Sequence, residues 1–267
     1  QTFEGEILVI VVDDGSPISA EEELSGIASV KNRKIKIITQ ENGGAGSARN
    51  NALNNVPQTT EYVAFIDSDD QWHATHLENA VRALKLGYQA YFSDHHAALY
   101  PNDSNFERIG TLPLSEHTLL DEQHNIYEMK ISALEHTVAD GGGVIGTSNV
   151  VYDFQSFKEL RFREQFYNGQ DFFFWMDLSN LGAKWVFSAN IECTCGTGIN
   201  IYSGSGWGTE KSLQRLRNEL FIWTSVNRFY TLSNELNKAN SKTIKALQVN
   251  IIRDILHRII HLKPISM

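Results

Sequence analysis

Cysteine is nearly absent from this chain: Cys193 and Cys195 are the only two in 267 residues. A disulfide-stapled scaffold is therefore excluded. Two residues apart in a strand, the pair would share a face, but a bridge that short is strained. Free thiols in a reducing, cytoplasmic setting are the expectation, and one pair is too few for a zinc site. Basic residues are also in deficit, 23 against 32 acids, for a formal net charge of −9. With no dense basic stripe there is no footprint for a phosphate backbone, so no nucleic acid is expected as a partner. Long apolar runs are missing too. The longest aliphatic run is "ILVIVV" (residues 7–12), far short of the ~20 residues a membrane span needs. Internal repeats and low-complexity tracts are likewise absent.

What is present can build a sizeable core: 42 % of residues are hydrophobic and 10 % aromatic, enough for one large domain with an extension. The first hundred residues alternate strand and helix. "EILVIVV" is a continuous apolar strand. "SAEEELSGIASV" follows, with Ser19 and Glu22 at capping-box spacing. "KIKIITQ" is a strand, "GGAGSARNNALNN" a glycine-rich entry to a helix, and "EYVAFID" a strand again. In "HATHLENAVRALKLG", Leu77, Ala80, Val81 and Leu84 share a helical face and Gly87 can end it. "YQAYFSDHH" is the next strand. This alternation predicts an α/β domain with a largely parallel sheet. Residues 100–125 read as a loop-rich insertion, "GGGVIGTSNVVYD" as a return to strand, "DFFFWMDLSNLG" as a helix and "AKWVFS" as a strand. Residues 209–262 read as helical.

Three loops follow three successive strands: "DDGSP" (13–17), "ENGGAGSARN" (41–50) and "DSDD" (67–70). All would lie at the carboxyl ends of the strands, where open α/β sheets bind ligands. Gly43, Gly44 and Gly46 would let backbone N–H groups approach an anion at a helix start. The spacing is not GxGxxG, so a dinucleotide fingerprint is unsupported. Arg49 could pair with a phosphate, or with Asp13 or Asp14. The acids of "DSDD" suit Mg²⁺ or Mn²⁺, hard cations that take oxygen ligands and substrate phosphates.

These motifs, "QTFEGEILVIVVDDGS", "NGGAGSARNNAL" and "VAFIDSDDQW", resemble the nucleotide-binding half of glycosyltransferase family 2, inverting enzymes of the GT-A fold. The resemblance is close over residues 1–100 and looser to about 205. It implies an α/β, Rossmann-like nucleotide-diphospho-sugar transferase fold. Residues 1–100 would form the nucleotide-sugar half, 101–205 the acceptor and catalytic half, and 206–267 a C-terminal helical extension. It also implies transfer of a sugar from a nucleoside-diphosphate donor, UDP-linked by expectation, to a hydroxyl of a glycan or lipid-linked acceptor, as in building bacterial surface polysaccharides. The donor would meet Asp13, Asp14, Gly15, Ser16, Gly43, Gly44, Arg49, Asp67 and Ser68. The metal would be held by Asp69, with Asp67 beside it, and Asp70 would cap the helix that follows. The family's catalytic base falls at Asp171 in "NGQDFFFW", where Gln170 stands in place of the usual Glu. Gln170, Trp175, Tyr202 and Trp207 are candidates for the acceptor site or a lid, the last two within the glycine-rich stretch 196–208.

The resemblance departs at the first residue. Family members begin with a strand and a helix that this sequence lacks, about 30 residues. That strand would lie between those at 6–12 and 62–66, so a longer parent protein is expected, because a central gap leaves unpaired backbone groups. "AFIDSDD" also resembles the haloacid-dehalogenase phosphohydrolases, with Asp67 as nucleophile and Asp69 as acid/base. Gln71 stands where they have Thr or Val, and that reading leaves the other two loops unexplained. A nucleotide-binding module without catalysis is a further alternative, prompted by Gln170. His95 and His96 read as packed or surface residues, His73 and His76 as helix-surface residues. In "IKALQVNIIRDILHRIIHL" (244–262), Leu247, Ile251, Ile255 and Ile259 form an apolar face beside a basic remainder that includes Arg258. Packing on the domain, a homodimer contact, or peripheral contact with the inner face of a membrane are its three readings.

Overall fold

The computed structural model describes residues 1–27, 30–198 and 204–265. Strands β1 (Ile7–Asp13) and β2 (Arg33–Thr39) pair in parallel, from Ile7 opposite Arg33 to Asp13 opposite Thr39. Between them, Ser19 caps α1 (Ala20–Glu23) by accepting the Glu22 N–H at 3.2 Å. Helix α2 (Ala45–Asn54) starts behind Gly44, whose φ of +84° any side chain would strain.

The second sheet has seven strands. Its path is β3 (Tyr62–Ala64), β8 (Val150–Asp153), β5 (Ala90–His96), β9 (Trp185–Thr194), β7 (Ile126–Glu128) and β6 (Thr118–Asp121), and β4 (Gln71–Trp72) also pairs with β9. Only β5 and β9 run parallel within it. The expectation of a largely parallel sheet is thus corrected to a mixed one. The antiparallel partners β6, β7 and β8 all come from beyond residue 100, and antiparallel pairing needs only short returns where parallel pairing needs a long crossover. The stretch 100–125 is likewise more than loop: it holds α4 (Asn105–Ile109), capped by Ser104, and β6.

The two sheets are separate. Among the described residues β1 pairs only with β2, and β3 only with β8.

The main core is aromatic. Phe65, Tyr152, Phe162, Phe174 and Trp175 interlock beneath β3, with Phe162 and Phe174 stacked 4.2 Å apart. Fully burying one such side chain is worth about 1.5–3 kcal/mol. Helix α6 (Gln170–Asn180) supplies Phe174 and Trp175 to this core. Its opposite face, Phe173 and Met176, goes to a second core shared with α5 (Ala133–Asp140), α7 (Ser212–Phe229) and α8 (Asn234–Ile260). Residues 209–262 are therefore helical as expected, in two helices. No helix among the described residues is long and apolar enough to cross a membrane.

Three side chains sit otherwise than the sequence suggested. Trp175 is 1 % exposed and walled in by Phe65, Phe162 and Trp185, so it lines no acceptor site. His76, at the start of α3 (His76–Leu84), is fully buried, with Nδ1 3.1 Å from Glu192 Oε2 of β9. The same carboxylate accepts from Asn79 and the Tyr91 hydroxyl, a network whose partners lie too far apart in sequence to be read there. Arg258 belongs to no basic face. It is 1 % exposed and paired at 2.6 Å with Asp254, one helical turn earlier.

Candidate active site

Asp14 organises the first two loops. Its carboxylate accepts the N–H groups of Gly43 and Gly44, each at 2.8 Å, and the Gln40 amide at 2.8 Å. The N–H groups expected to face a phosphate thus face a carboxylate of the same protein. Asp13 is buried and folds its own loop, accepting from Ser16 N–H at 2.8 Å and Ala20 N–H at 2.9 Å. Those bonds hold its carboxyl below the usual carboxylate range. Gly15 turns the loop with φ +82°.

Helix α2 carries Arg49 toward the third loop. Its guanidinium lies 2.6 Å from Asp67 and over the Phe162 ring, so its partner is neither Asp13 nor Asp14. Asn50, the next residue, is clamped in both directions: its amide donates to Phe162 O at 2.9 Å and accepts from Phe162 N–H at 2.7 Å. That clamp sets Arg49's direction, and no sequence signal marked Asn50.

In the third loop, Ser68 and Asp69 are exposed and Asp67 half-exposed. The Asp67 N–H donates to Ser148 Oγ at 2.9 Å, and the Trp72 indole N–H donates to Ser148 O. Asp69 Oδ2 accepts Gly198 N–H at 2.9 Å, and Asp70 Oδ1 accepts Gly196 N–H at 2.8 Å. Asp70 therefore fastens the end of β9 and caps no helix. A Cβ on Gly196 would fall 1.9 Å from Asp69 O, so the approach requires glycine.

Asp171 stands in the first turn of α6, entered through Gly169 in the left-handed conformation, φ +76°. Burial raises its carboxyl above the ordinary value, the Arg49 charge opposes that rise, and Asp67 adds to it. Arg49 of α2 pairs with Asp67 of the third loop, whose N–H is held by Ser148. The Thr147 hydroxyl lies 3.5 Å from Asp171 Oδ2. Thr147 and Ser148 thus tie Asp171 and the acidic loop to a single buried turn, which the sequence did not reveal. Gln170 is buried, its Oε1 without a partner, and its side chain packs against Gly46 of α2.

Of the proposed lid, Tyr202 lies outside the described residues. Trp207 is 58 % exposed and rests on His257 of α8, ring centres 4.5 Å apart. A polar recess that sequence reasoning missed lies between the entry to α6 and the first turns of α7. Tyr167, Asn168, Lys211, Gln214, Arg215 and Asn218 line it. His95 is packed as expected: it is buried against Asn149, and burial pushes its ring down to about 4.

The α/β scaffold, with carboxylates at strand ends and a helix-borne arginine beside them, has the GT-A architecture. The solved structures agree on the fold. S. aureus TarS matches with a TM-score of 0.60 at 15 % identity, over 91 % of this chain and 38 % of that one. TarS 1–349 in complex with UDP-GlcNAc matches with a TM-score of 0.58 at 15 % identity, over 92 % and 63 %.

The glycosyl transferase family 2 profile matches residues 2–161, and the chain belongs to that family. Among curated relatives, the succinoglycan biosynthesis protein ExoW of Rhizobium meliloti (strain 1021) is 28 % identical over 232 residues, 85 % of this chain and 70 % of that protein. The amylovoran biosynthesis glycosyltransferase AmsB of Erwinia amylovora is 28 % identical over 194 residues, 68 % of this chain and 57 % of that protein. The phosphohydrolase reading is set aside by this membership, and Asp67, its nucleophile, is held by Arg49.

Proposed function

We propose that the protein is a metal-dependent inverting glycosyltransferase that moves a sugar from a UDP-linked donor to a hydroxyl of a glycan or lipid-linked acceptor. The observation that carries this reading is that one turn, Thr147–Ser148, reaches both Asp171 and the N–H of Asp67, itself paired with Arg49. The TarS structures with UDP-GlcNAc and UDP support the donor class, and the polysaccharide-building relatives support the acceptor class. Residues 1–100 serve the donor, 101–205 the acceptor and the chemistry, and 206–267 the support of both.

Asp171 accepts the acceptor's hydroxyl proton as the hydroxyl oxygen bonds to the anomeric carbon. The bond from that carbon to the diphosphate oxygen breaks on the opposite face, its electron pair leaving with the diphosphate. The configuration inverts because there is one displacement. Arg49 lies where it can meet the departing charge. Asp69 and Asp67, the latter also paired with Arg49, would hold Mn²⁺ or Mg²⁺ through oxygen donors open to solvent. Such an ion would help neutralise the diphosphate as it leaves. Asp14, Gly15, Ser16, Gly43, Gly44 and Ser68 form the nucleotide side. Gln170, Trp207 and the recess beside Lys211 and Arg215 form the acceptor side.

The test is a thermal-shift panel of nucleoside diphosphates with and without Mn²⁺. A ligand that binds only the folded state raises the melting temperature. UDP is expected to do so with Mn²⁺ present, and no shift with any nucleotide would sink the proposal.

The end of α8 supports peripheral contact with a membrane. Ile252, Leu256, Ile259 and Ile260 are more than half exposed and share one face, with Arg253 and Lys263 nearby. The full chain is expected to float with anionic vesicles and a form ending at Lys238 is not. Equal flotation removes this part.

A further inference from the structure

The two cysteines do not stand alone. Cys193, next to last in β9, is fully buried, and Cys195, just past the strand's end, is half-buried. Strand β4 brings a third group to them: Trp72 pairs with Cys193 and Gln71 with Thr194, so Asp70, one residue before β4, arrives beside the two sulfurs. A carboxylate oxygen of Asp70 and both Sγ atoms lie within 4.8 Å of one another. Among the described residues this is the one such trio of metal-ligating groups. The sequence reading counted one cysteine pair and stopped there, because the third donor is more than 120 residues away.

The donor chemistry differs from that of the site proposed for Mn²⁺ or Mg²⁺. Those cations take oxygen ligands, whereas thiolates select softer ions such as Zn²⁺. Around zinc, bonds of about 2.3 Å to sulfur and 2.0–2.2 Å to oxygen set tetrahedral edges of about 3.6–3.8 Å. Small side-chain rotations bring groups already within 4.8 Å to that spacing. Three protein donors leave a fourth position for water, the arrangement of an open zinc site. The Asp70 carboxylate is already aimed, since its Oδ1 accepts the Gly196 N–H at 2.8 Å. Entry is available through the half-buried Asp70 and Cys195.

We propose that Asp70, Cys193 and Cys195 form a second metal site, selective for a soft divalent cation such as Zn²⁺, directly behind the acidic loop. Each thiol releases its proton to solvent as its bond to the metal forms. A bound ion crosslinks that loop to the end of β9. It reinforces the two hydrogen bonds that already join Asp69 and Asp70 to Gly198 and Gly196. The site stands apart from the proposed transfer chemistry and is independent of which sugar moves.

The test uses the reduced full chain and Co²⁺, a spectroscopic stand-in for zinc. One equivalent is expected to give a thiolate-to-cobalt charge-transfer band in the near-ultraviolet. Cys195→Ser and Cys193→Ser, with folding checked by circular dichroism, are expected to lose the band. Asp70→Asn is expected to weaken Co²⁺ by at least about tenfold, the loss that even a supporting contact brings. Asp69→Asn is expected to keep it. On the unmodified chain, one equivalent of Zn²⁺ is expected to protect Cys195 from alkylation and to appear as one bound ion by native mass spectrometry. No band and no protection at stoichiometric metal overturn the proposal whether or not the variants fold. Undiminished affinity in Asp70→Asn overturns it as a three-donor site, and loss of the band in Asp69→Asn overturns its separateness.

Discussion

Asp171 is held where ionisation is resisted. Burial raises its carboxyl, Arg49 pulls it back and Asp67 pushes it up again. A base must be ionised to work, so kcat/KM is expected to fall as pH drops through a value above the ordinary aspartate pKa of about 3.9. Arg49→Ala removes the opposing charge and is expected to move that acidic limb to higher pH. Asp171→Asn is expected to cost about 10²–10⁴ in rate. Its stability effect has the opposite sign. A carboxyl whose folded pKa is raised contributes stability present below its unfolded pKa, and that contribution is lost as pH rises through the folded value. At neutral pH Asp171→Asn is therefore expected to melt no lower than the parent. A variant that keeps full transfer activity, or a limb unmoved by Arg49→Ala, would sink the base assignment. The place of Asp171 at a helix start was legible because it sits on a short local pattern. Thr147, Ser148 and Asn50, which hold it and its neighbours, were not, because each acts through a partner remote in sequence.

Among elements, β1, β2, β5, α2 and α3 were legible because local periodicity and punctuation decide them. Strand direction was not. Whether β8 joins β3 and β5 antiparallel depends on the path taken by residues 100–150, and no local pattern records that. The same blindness hid the junction of β9 with the acidic loop. Apolar "AKWVFS" announced the strand's beginning, while its continuation through Glu192 is polar and buried by pairing with His76, Asn79 and Tyr91. The segment beyond β9 read as a glycine-rich stretch, either a lid or a plain connector, and no pattern in it marked that its first glycines are set by the fold. Gly196→Ala forces a methyl into Asp69 O, a backbone atom that cannot swing away. This variant is expected to displace the acidic loop and lose Mn²⁺-dependent UDP affinity. Gly26→Ala, with nothing within 4 Å, is its control. Titration calorimetry reads both, and unchanged affinity in Gly196→Ala would separate Asp69 from the site.

Across the whole molecule, the C-terminal helices do more than cover α6. Asp254 and Arg258 are buried at the turn where α8 meets the segment returning from the active-site face. Asp254 accepts from Gly208 N–H at 3.4 Å and pairs with Arg258, which also donates to the carbonyls of Thr209 and Glu210 and to Ser212 Oγ. One ion pair thus holds the far end of a segment whose near end, Gly196 and Gly198, is held by the acidic loop. Removing one partner strands the other as an unpaired buried charge, so Arg258→Met is expected to cost about 3–5 kcal/mol. Replacing both with apolar residues, as in Asp254→Leu with Arg258→Met, removes the stranded charge and is expected to recover most of that loss. The double variant still lacks the hydrogen bonds that Asp254 and Arg258 make to Gly208, Thr209 and Glu210. If the pair matters only for stability, recovery of the melting temperature brings recovery of transfer. If it also positions the segment, the double variant melts like the parent and still shows a raised acceptor KM. The second outcome is expected, since the hydrogen-bonded backbone leads directly to Lys211 and Arg215 at the recess beside the entry to α6.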